Sequence, residues 1–153
     1  MSSKVEIRAA QPRDIPALVE LLRVLFSQEV EFKPDGTKQE AALLMILSDS
    51  AHGAILVAEN SEQILGMVSL LPLVSTALGT RVAILEDMVV APSARGIGVG
   101  AKLLGSAIAY AKSEGYARLT LLTDQDNLVA QQFYENAGFI KSTMVPMRLT
   151  IKL

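Results

Sequence analysis

The 153-residue chain contains no cysteine and no tryptophan, a single histidine, and few aromatic residues of any kind. Without cysteine it can form no disulfide, no thiolate metal site and no cysteine nucleophile. One histidine, His52, lies in the loop-like stretch Ser50-Ala51-His52-Gly53 and has no companions for a metal site. Basic residues are scattered rather than blocked into a run, the formal net charge is −2 and the pI is near 5.4, which argues against a nucleic-acid surface. Residues 1–8 alternate polar and apolar and lack the apolar core of a secretory signal, so the chain reads as cytoplasmic. The uncharged stretch 64–80 approaches membrane length, but Gly66, Pro72 and Gly79 interrupt it and β-branched residues fill it, so a buried strand followed by a loop is the expectation rather than a membrane span.

What the chain does have is apolar content: half of its residues, against about a fifth charged. That suffices for one compact domain over 1–153, with no repeat, low-complexity tract or linker. Val5, Ile7 and Ala9 alternate as a first strand. Apolar residues at helical spacing follow from Ile15 to Phe26, and a second helical run covers 39–47. Residues 54–59 and 64–71 form a hairpin around Asn60-Ser61-Glu62-Gln63, and 81–90 reads as a third antiparallel partner. Then the pattern changes to helix 99–114, strand 118–123, a helix capped by Asp126 or Asn127 and ended by Gly138, and a strand from Phe139 onward. Strand, crossover helix, strand is a βαβ unit and implies parallel pairing. The expected class is therefore α/β, with antiparallel N-terminal strands, a mixed central sheet and flanking helices.

The most informative segment is Pro92-Ser93-Ala94-Arg95-Gly96-Ile97-Gly98-Val99-Gly100, set between a strand and a helix. Three glycines within five residues let the backbone turn sharply and present its N–H groups. The first helical turn adds donors without intrahelical partners and a partial positive charge. A phosphate or pyrophosphate suits that place, and Arg95 adds a planar fork of donors. Gly96, Gly98 and Ala101 also satisfy the Gly-x-Gly-x-x-Gly/Ala dinucleotide fingerprint. The context argues against a nicotinamide-binding domain, which needs the glycines after its first strand and an acidic residue at the end of the second, whereas Glu114 lies on the helix and Asp124 comes late.

Arg95, Gly98 and Gly100 match an Arg/Gln-x-x-Gly-x-Gly/Ala signature. About thirty residues on, Asn127, Phe133, Tyr134, Gly138 and Phe139 match a second one. Together they make the chain similar to the GNAT superfamily of acetyl-CoA-dependent N-acetyltransferases, and the element order agrees with that family's fold over nearly the whole length. The resemblance implies acetyl-CoA as co-substrate and no metal. It places the backbone amides of Gly96, Ile97, Gly98, Val99, Gly100 and Ala101 on the pyrophosphate. The backbone of Met88 and Val90 would pair with the pantetheine arm as an added strand, and an N–H near Val89 or Val90 would hold the thioester oxygen. Asn127 and Ala130 would flank the arm from the last helix, and Tyr134 would aim its hydroxyl at the sulfur.

The amine must arrive deprotonated. An alkyl amine with pKa about 10.4 is free only about once in a few thousand molecules at pH 7, a deficit of roughly 4–5 kcal/mol, so a base is required. Leu85-Glu86-Asp87-Met88 supplies two adjacent carboxylates on the strand before the loop, and alternation does not choose between them. Structural ion pairs with Arg81 or Arg118 are the plainer use of both. The resemblance to polyamine and amino-sugar-phosphate branches of the family favours Glu86 as base and Asp87 as a substrate-binding group. With no cysteine and no serine in a nucleophile setting, the expected reaction is direct attack by a primary amine of a small molecule. A protein lysine or N-terminal acetyltransferase and a non-catalytic acyl-CoA-binding regulator are the alternatives. The acidic residues Glu29, Glu31 and Asp35 could attract a cationic acceptor. Apolar C-terminal strands in this family often pair into homodimers, and 144–149 is compatible with that.

Overall fold

A computed structural model describes residues 4–29 and 32–153. Strand β1 (Glu6–Ala9) leads through a 3-10 turn, Pro12–Asp14, into α1 (Ile15–Gln28) and α2 (Gly36–Ser48). A second 3-10 turn, Ser50–His52, precedes β2 (Ala54–Glu59), β3 (Ile64–Ser75) and β4 (Thr80–Val90). The turn Pro92–Ala94 leads to α3 (Val99–Ser113), β5 (Leu119–Thr120) and α4 (Leu128–Asn136). The sheet order is β1-β2-β3-β4-β5, antiparallel throughout except for the parallel pair β4/β5. This is the mixed sheet with a terminal βαβ unit that the pattern of residues implies.

Helices cover both faces of the sheet. Leu56, Leu70 and Leu85 pack with Leu103, Leu104 and Ala107 of α3 on one side, while Ile55, Val57, Met67 and Val89 pack with Leu18, Leu22 and Leu43 of α1 and α2 on the other. Successive residues of β2 and β3 therefore enter opposite cores, and both strands are apolar without alternation. The same double burial explains the uncharged stretch from Ile64: it is β3, and no helix among the described residues is long and apolar enough to cross a membrane. Pro72 fits because β2 pairs with β3 only as far as Leu70, so Pro72 has no β2 neighbour needing its missing N–H. At Gly66 a Cβ would lie 2.9 Å from the Val89 carbonyl oxygen, so β3 can approach β4 this closely only through glycine.

Two expectations need correction. The strand expected over 118–123 is reduced to Leu119–Thr120. The strand expected from Phe139 onward is absent: 140–153 forms no strand and is exposed, and among the described residues no backbone–backbone hydrogen bond joins it to the sheet. Its alternating pattern survives, with Val145, Met147, Leu149, Ile151 and Leu153 all largely exposed. A strand needs a neighbour for its N–H and C=O groups as well as an alternating sequence.

The sheet's first edge is tied down by one arginine. The Arg8 guanidinium donates to both carboxylate oxygens of Asp14 at 2.8 and 3.0 Å and to both of Glu59 at 2.8 and 3.0 Å. Asp14 is buried and also accepts the Gln11 N–H at 2.8 Å, so β1, the start of α1 and the end of β2 meet at one charge cluster. Hydrogen bonding to Arg8 holds the Asp14 carboxyl below its ordinary range. Replacing Arg8→Met should strand the buried Asp14 carboxylate and lower the unfolding free energy by about 3–5 kcal/mol. Urea denaturation at pH 7 reads this, and a loss under 1 kcal/mol would remove the clamp from the stabilising contacts.

Candidate active site

Strand β4 shapes the site. On its β3 side the register runs Ser69↔Glu86 and Met67↔Val89, so Val68 faces both Asp87 and Met88. Two residues against one is a β-bulge. Asp87 takes the strain, with φ 53°, the one positive value outside glycine among the described residues. On the other side β4 pairs with β5 only at Ala83 and Ile84. From Leu85 to Val90 that edge has no strand neighbour among the described residues, so an extended ligand can lie there.

The glycine loop stands at the end of this open edge. Gly96 and Gly98 have φ of 80° and 88°, and Gly98 forms the left-handed entry to α3. The helix closes its first bond at Lys102 N–H to Gly98 C=O, leaving the amides of Val99, Gly100 and Ala101 without intrahelical acceptors. A Cβ at Gly96 or Gly98 would meet nothing within 4 Å, so glycine is needed there for the backbone turn and the open approach. Arg95 Nε donates to the Val90 carbonyl at 3.1 Å, so the side chain also braces the loop on β4. That bond also occupies one of the backbone groups expected to meet pantetheine.

Helix α4 closes the other flank. The position of a Gly100 Cβ would be 3.5 Å from the Phe133 ring and 3.6 Å from Val90 Cγ2, so α3, α4 and β4 converge at that residue. Asn127 Oδ1 accepts the Ala130 N–H at 3.0 Å and caps α4, a structural use of the residue expected on the cofactor. Tyr134 packs edge-on against Phe133 and Phe139, and burial pushes its hydroxyl up to about 12. It therefore stays protonated throughout the neutral range.

The carboxylate pair is split by environment. Glu86 is exposed, whereas Asp87 is largely withdrawn from solvent. Desolvation first, then the charges of Glu86 and Glu29, push Asp87 up to about 7. Arg81 does not neutralise either carboxylate; it stacks over the Tyr116 ring and approaches Glu114 at 3.9 Å. One further group escaped the sequence reading. Ser69, opposite Glu86, has a fully buried hydroxyl with no hydrogen-bond partner among the described residues, and a single serine in an apolar strand carries no signal that would single it out.

A separate cavity of about 520 Å³ lies where α1 gives way to α2, lined by Phe26, Phe32, Lys33, Pro34, Asp35, Lys38 and Gln39. Asp35 caps α2 through the Lys38 N–H, Glu29 is close enough to influence Asp87, and Glu31 lies outside the described residues. With Lys33 and Lys38 present, this connection is mixed in charge rather than simply acidic. His52 Nδ1 lies 2.9 Å from the Met45 carbonyl, a local contact with the end of α2. No group of metal-binding side chains occurs among the described residues.

A model of the Acetyltransferase (GNAT) family matches residues 15–139. The uncharacterized N-acetyltransferase YhfO of Bacillus subtilis (strain 168) is 33% identical over 141 residues, 91% of this chain and 92% of that protein. Among solved structures, the aminoglycoside N-acetyltransferase AAC(6')-Iy in complex with CoA superposes with TM-score 0.81 at 19% identity, covering 98% of this chain and 97% of its own. The ribosomal-protein-alanine N-acetyltransferase of Brucella melitensis biovar Abortus 2308 superposes with TM-score 0.75 at 20% identity, covering 97% and 100%. Both of those likenesses are likenesses of fold.

The strained, desolvated Asp87 has a consequence for stability. Its folded pKa exceeds the ordinary carboxylate value, so the folded state holds the proton more tightly and stability falls as pH rises from about 4 to about 7. Asp87→Asn removes the titration and keeps a side chain that tolerates positive φ. The variant should gain stability over the parent as pH rises through that window, with little difference at pH 4. Urea midpoints at pH 4, 5.5, 7 and 8.5 measure it, and a gap independent of pH contradicts the raised Asp87 pKa.

Proposed function

Because the chain belongs to the Acetyltransferase (GNAT) family and is an acyltransferase, we propose that it transfers acetyl from acetyl-CoA to a primary amine of a small molecule by direct attack. The observation that carries this reading is the open β4 edge ending at an amide-lined glycine turn, with two carboxylates on the same strand. Those parts suit an extended thioester cofactor with a pyrophosphate. Acetyl-CoA supplies the activated carbonyl and the thiolate leaving group. The amides of residues 96–101 would hold its pyrophosphate, and the backbone of Met88 to Val90 would align its arm. An N–H at Val89 or Val90 would stabilise the carbonyl oxygen as charge develops. Asn127 and Ala130, at the start of α4, would flank the arm.

Tyr134 serves as the acid. A thiol of pKa about 8.5 and a phenol pushed up to about 12 differ by roughly 5 kcal/mol for complete proton transfer. The hydroxyl therefore acts first by donating a hydrogen bond to sulfur as its negative charge grows. Glu86 takes the ammonium proton and Asp87 binds the cationic acceptor. A second reading reverses these roles, and the proximity of Asp87's pKa to neutrality favours it, since a base works best near the operating pH. The mixed-charge cavity beside α1 and α2 is the place we assign to the rest of the acceptor. The fold neighbours are named one for an aminoglycoside and one for a ribosomal protein alanine, so the fold accommodates either kind of acceptor and does not choose between them. Small molecules are our choice because the pocket is compact. We also propose that two copies assemble as a homodimer.

Acetyl-CoA presented with a panel of small amines, and in parallel with lysine and N-terminal peptides, should release CoA thiol with at least one small amine. Release only with peptides would move the assignment to a protein acceptor, and CoA binding without release to any of them would favour a regulator. Against the best acceptor, Tyr134→Phe should lower kcat by roughly 10²–10⁴-fold with cofactor affinity little changed.

The base is decided by pH–rate profiles. With Glu86 as base, Glu86→Gln should depress kcat/KM most near neutral pH and recover as alkali supplies free amine, while Asp87→Asn mainly raises the acceptor KM. If Asp87 is the base, the parent should show an ascending limb near pH 7 that Asp87→Asn abolishes.

A further inference from the structure

From Ile64 to Val74 strand β3 carries a single polar side chain, Ser69, and its hydroxyl is fully buried with no hydrogen-bond partner among the described residues. Its register partners are Ile55 on β2 and Glu86 on β4. Ile55 belongs to the core shared with α1 and α2, so Ser69 and Glu86 stand on that side of the sheet. Leu85 and Met88 both pack into the opposite core, against α3, and the bulge places Glu86 and Asp87 between them. The charge of Glu29, the residue that ends α1, reaches Asp87. No cation answers this acidic group. Among the described residues neither a hydrogen bond nor a base acts on Asp87, only burial and the like charges of Glu86 and Glu29. Arg81 is turned to Tyr116 and Glu114, and Arg8 to Asp14 and Glu59. The remaining side chains of that core, such as Val57, Met67 and Leu43, are apolar. Ser69 is the donor that the sheet sets beside the pair.

We propose that Ser69 is a positioning residue: when the Asp87 carboxyl gives up its proton, the Ser69 hydroxyl donates a hydrogen bond to it and fixes the direction in which the carboxylate meets the ammonium group of the acceptor. The inference rests on the reading that these carboxylates serve the acceptor. A buried hydroxyl without an acceptor and a buried carboxylate without a donor each oppose folding, and each supplies what the other lacks. A protonated Asp87 is tolerated in that setting without a donor, whereas an ionised one needs a partner. The extra residue of the bulge is the one that follows Ser69's partner, and rotation of two short side chains is the movement the bond requires. A carboxylate held through one oxygen keeps the other for the ammonium group. Ser69 itself lies beneath the surface of the sheet and touches no substrate.

Ser69→Ala removes the donor and leaves an apolar strand. Asp87 is followed directly through its carboxyl carbon signal in aspartate-labelled full-length protein, identified by its loss in Asp87→Asn. A hydrogen bond to a carboxylate favours the charged form, so the titration midpoint in Ser69→Ala should lie about one pH unit above that of the parent. Urea unfolding reads the same bond by another route. The variant should equal or exceed the parent at pH 4, where Asp87 is protonated, and fall below it at pH 8.5; in the Asp87→Asn background this dependence on pH should vanish. A hydroxyl with only a structural role would cost stability equally at every pH and leave the midpoint unmoved, and a hydroxyl with no role would leave the midpoint unmoved with no loss at pH 8.5. Either result overturns the proposal. With the best amine of the panel, Ser69→Ala should lower kcat/KM about 10-fold through a higher acceptor KM, with acetyl-CoA affinity unchanged. A shifted midpoint with an unchanged acceptor KM would overturn the positioning role. If the parent acetylates no amine, the acceptor reading fails, while titration and unfolding still decide whether Ser69 holds Asp87.

Discussion

The constraint on which the site depends is the mismatch of strand β4 with its two neighbours. It carries one residue too many for β3 at Asp87 and Met88, and it outruns β5 after Ile84. The bulge re-aims the carboxylates, and the short parallel pairing leaves a length of backbone edge beside them. Neither feature is cheap: a non-glycine residue at φ 53° and a largely desolvated carboxyl both oppose folding. Such costs persist only where surrounding structure fixes them, and here two hydrophobic cores and the Arg8 clamp hold the rest of the sheet.

The proposed cofactor side and the proposed acceptor side differ in how they are built. On the first, Gly100 permits α3 to sit against Val90 and the Phe133 ring, so the loop amides, β4 and α4 form one rigid corner. Arg95 and Asn127 contribute here as braces, the one to the Val90 carbonyl and the other to the first turn of α4. On the second flank, the mixed charge of Lys33, Asp35 and Lys38 and the rings of Phe26 and Phe32 give a surface with several chemistries in reach.

Much was legible in the residues themselves. Glycines at 96, 98 and 100 after a strand require a turn that exposes amides, and Asp126 or Asn127 reads as the cap of the last helix, of which the structure uses Asn127. The hairpin at Asn60 closes as its residues predict, with Asn60 Oδ1 accepting two amides. The family match over 15–139 agrees with that local reading. The role of Arg95 was less legible, because whether a guanidinium meets a ligand or a nearby carbonyl depends on the path of the loop.

Sequence by itself determined the order of elements from β1 to α4 and the glycine turn, since each follows from local propensity and from the spacing of apolar residues. Tertiary structure alone decided three things. It decided that Asp87 rather than Glu86 is desolvated, because a bulge breaks the alternation from which facing would be read. It decided that Ser69 keeps a buried hydroxyl opposite Glu86 with no partner among the described residues, because burial belongs to the packed sheet. And it decided that 140–153, alternating as a strand should, stands apart from its own sheet, because hydrogen-bond partners across strands are supplied by distant chain and never by the strand itself.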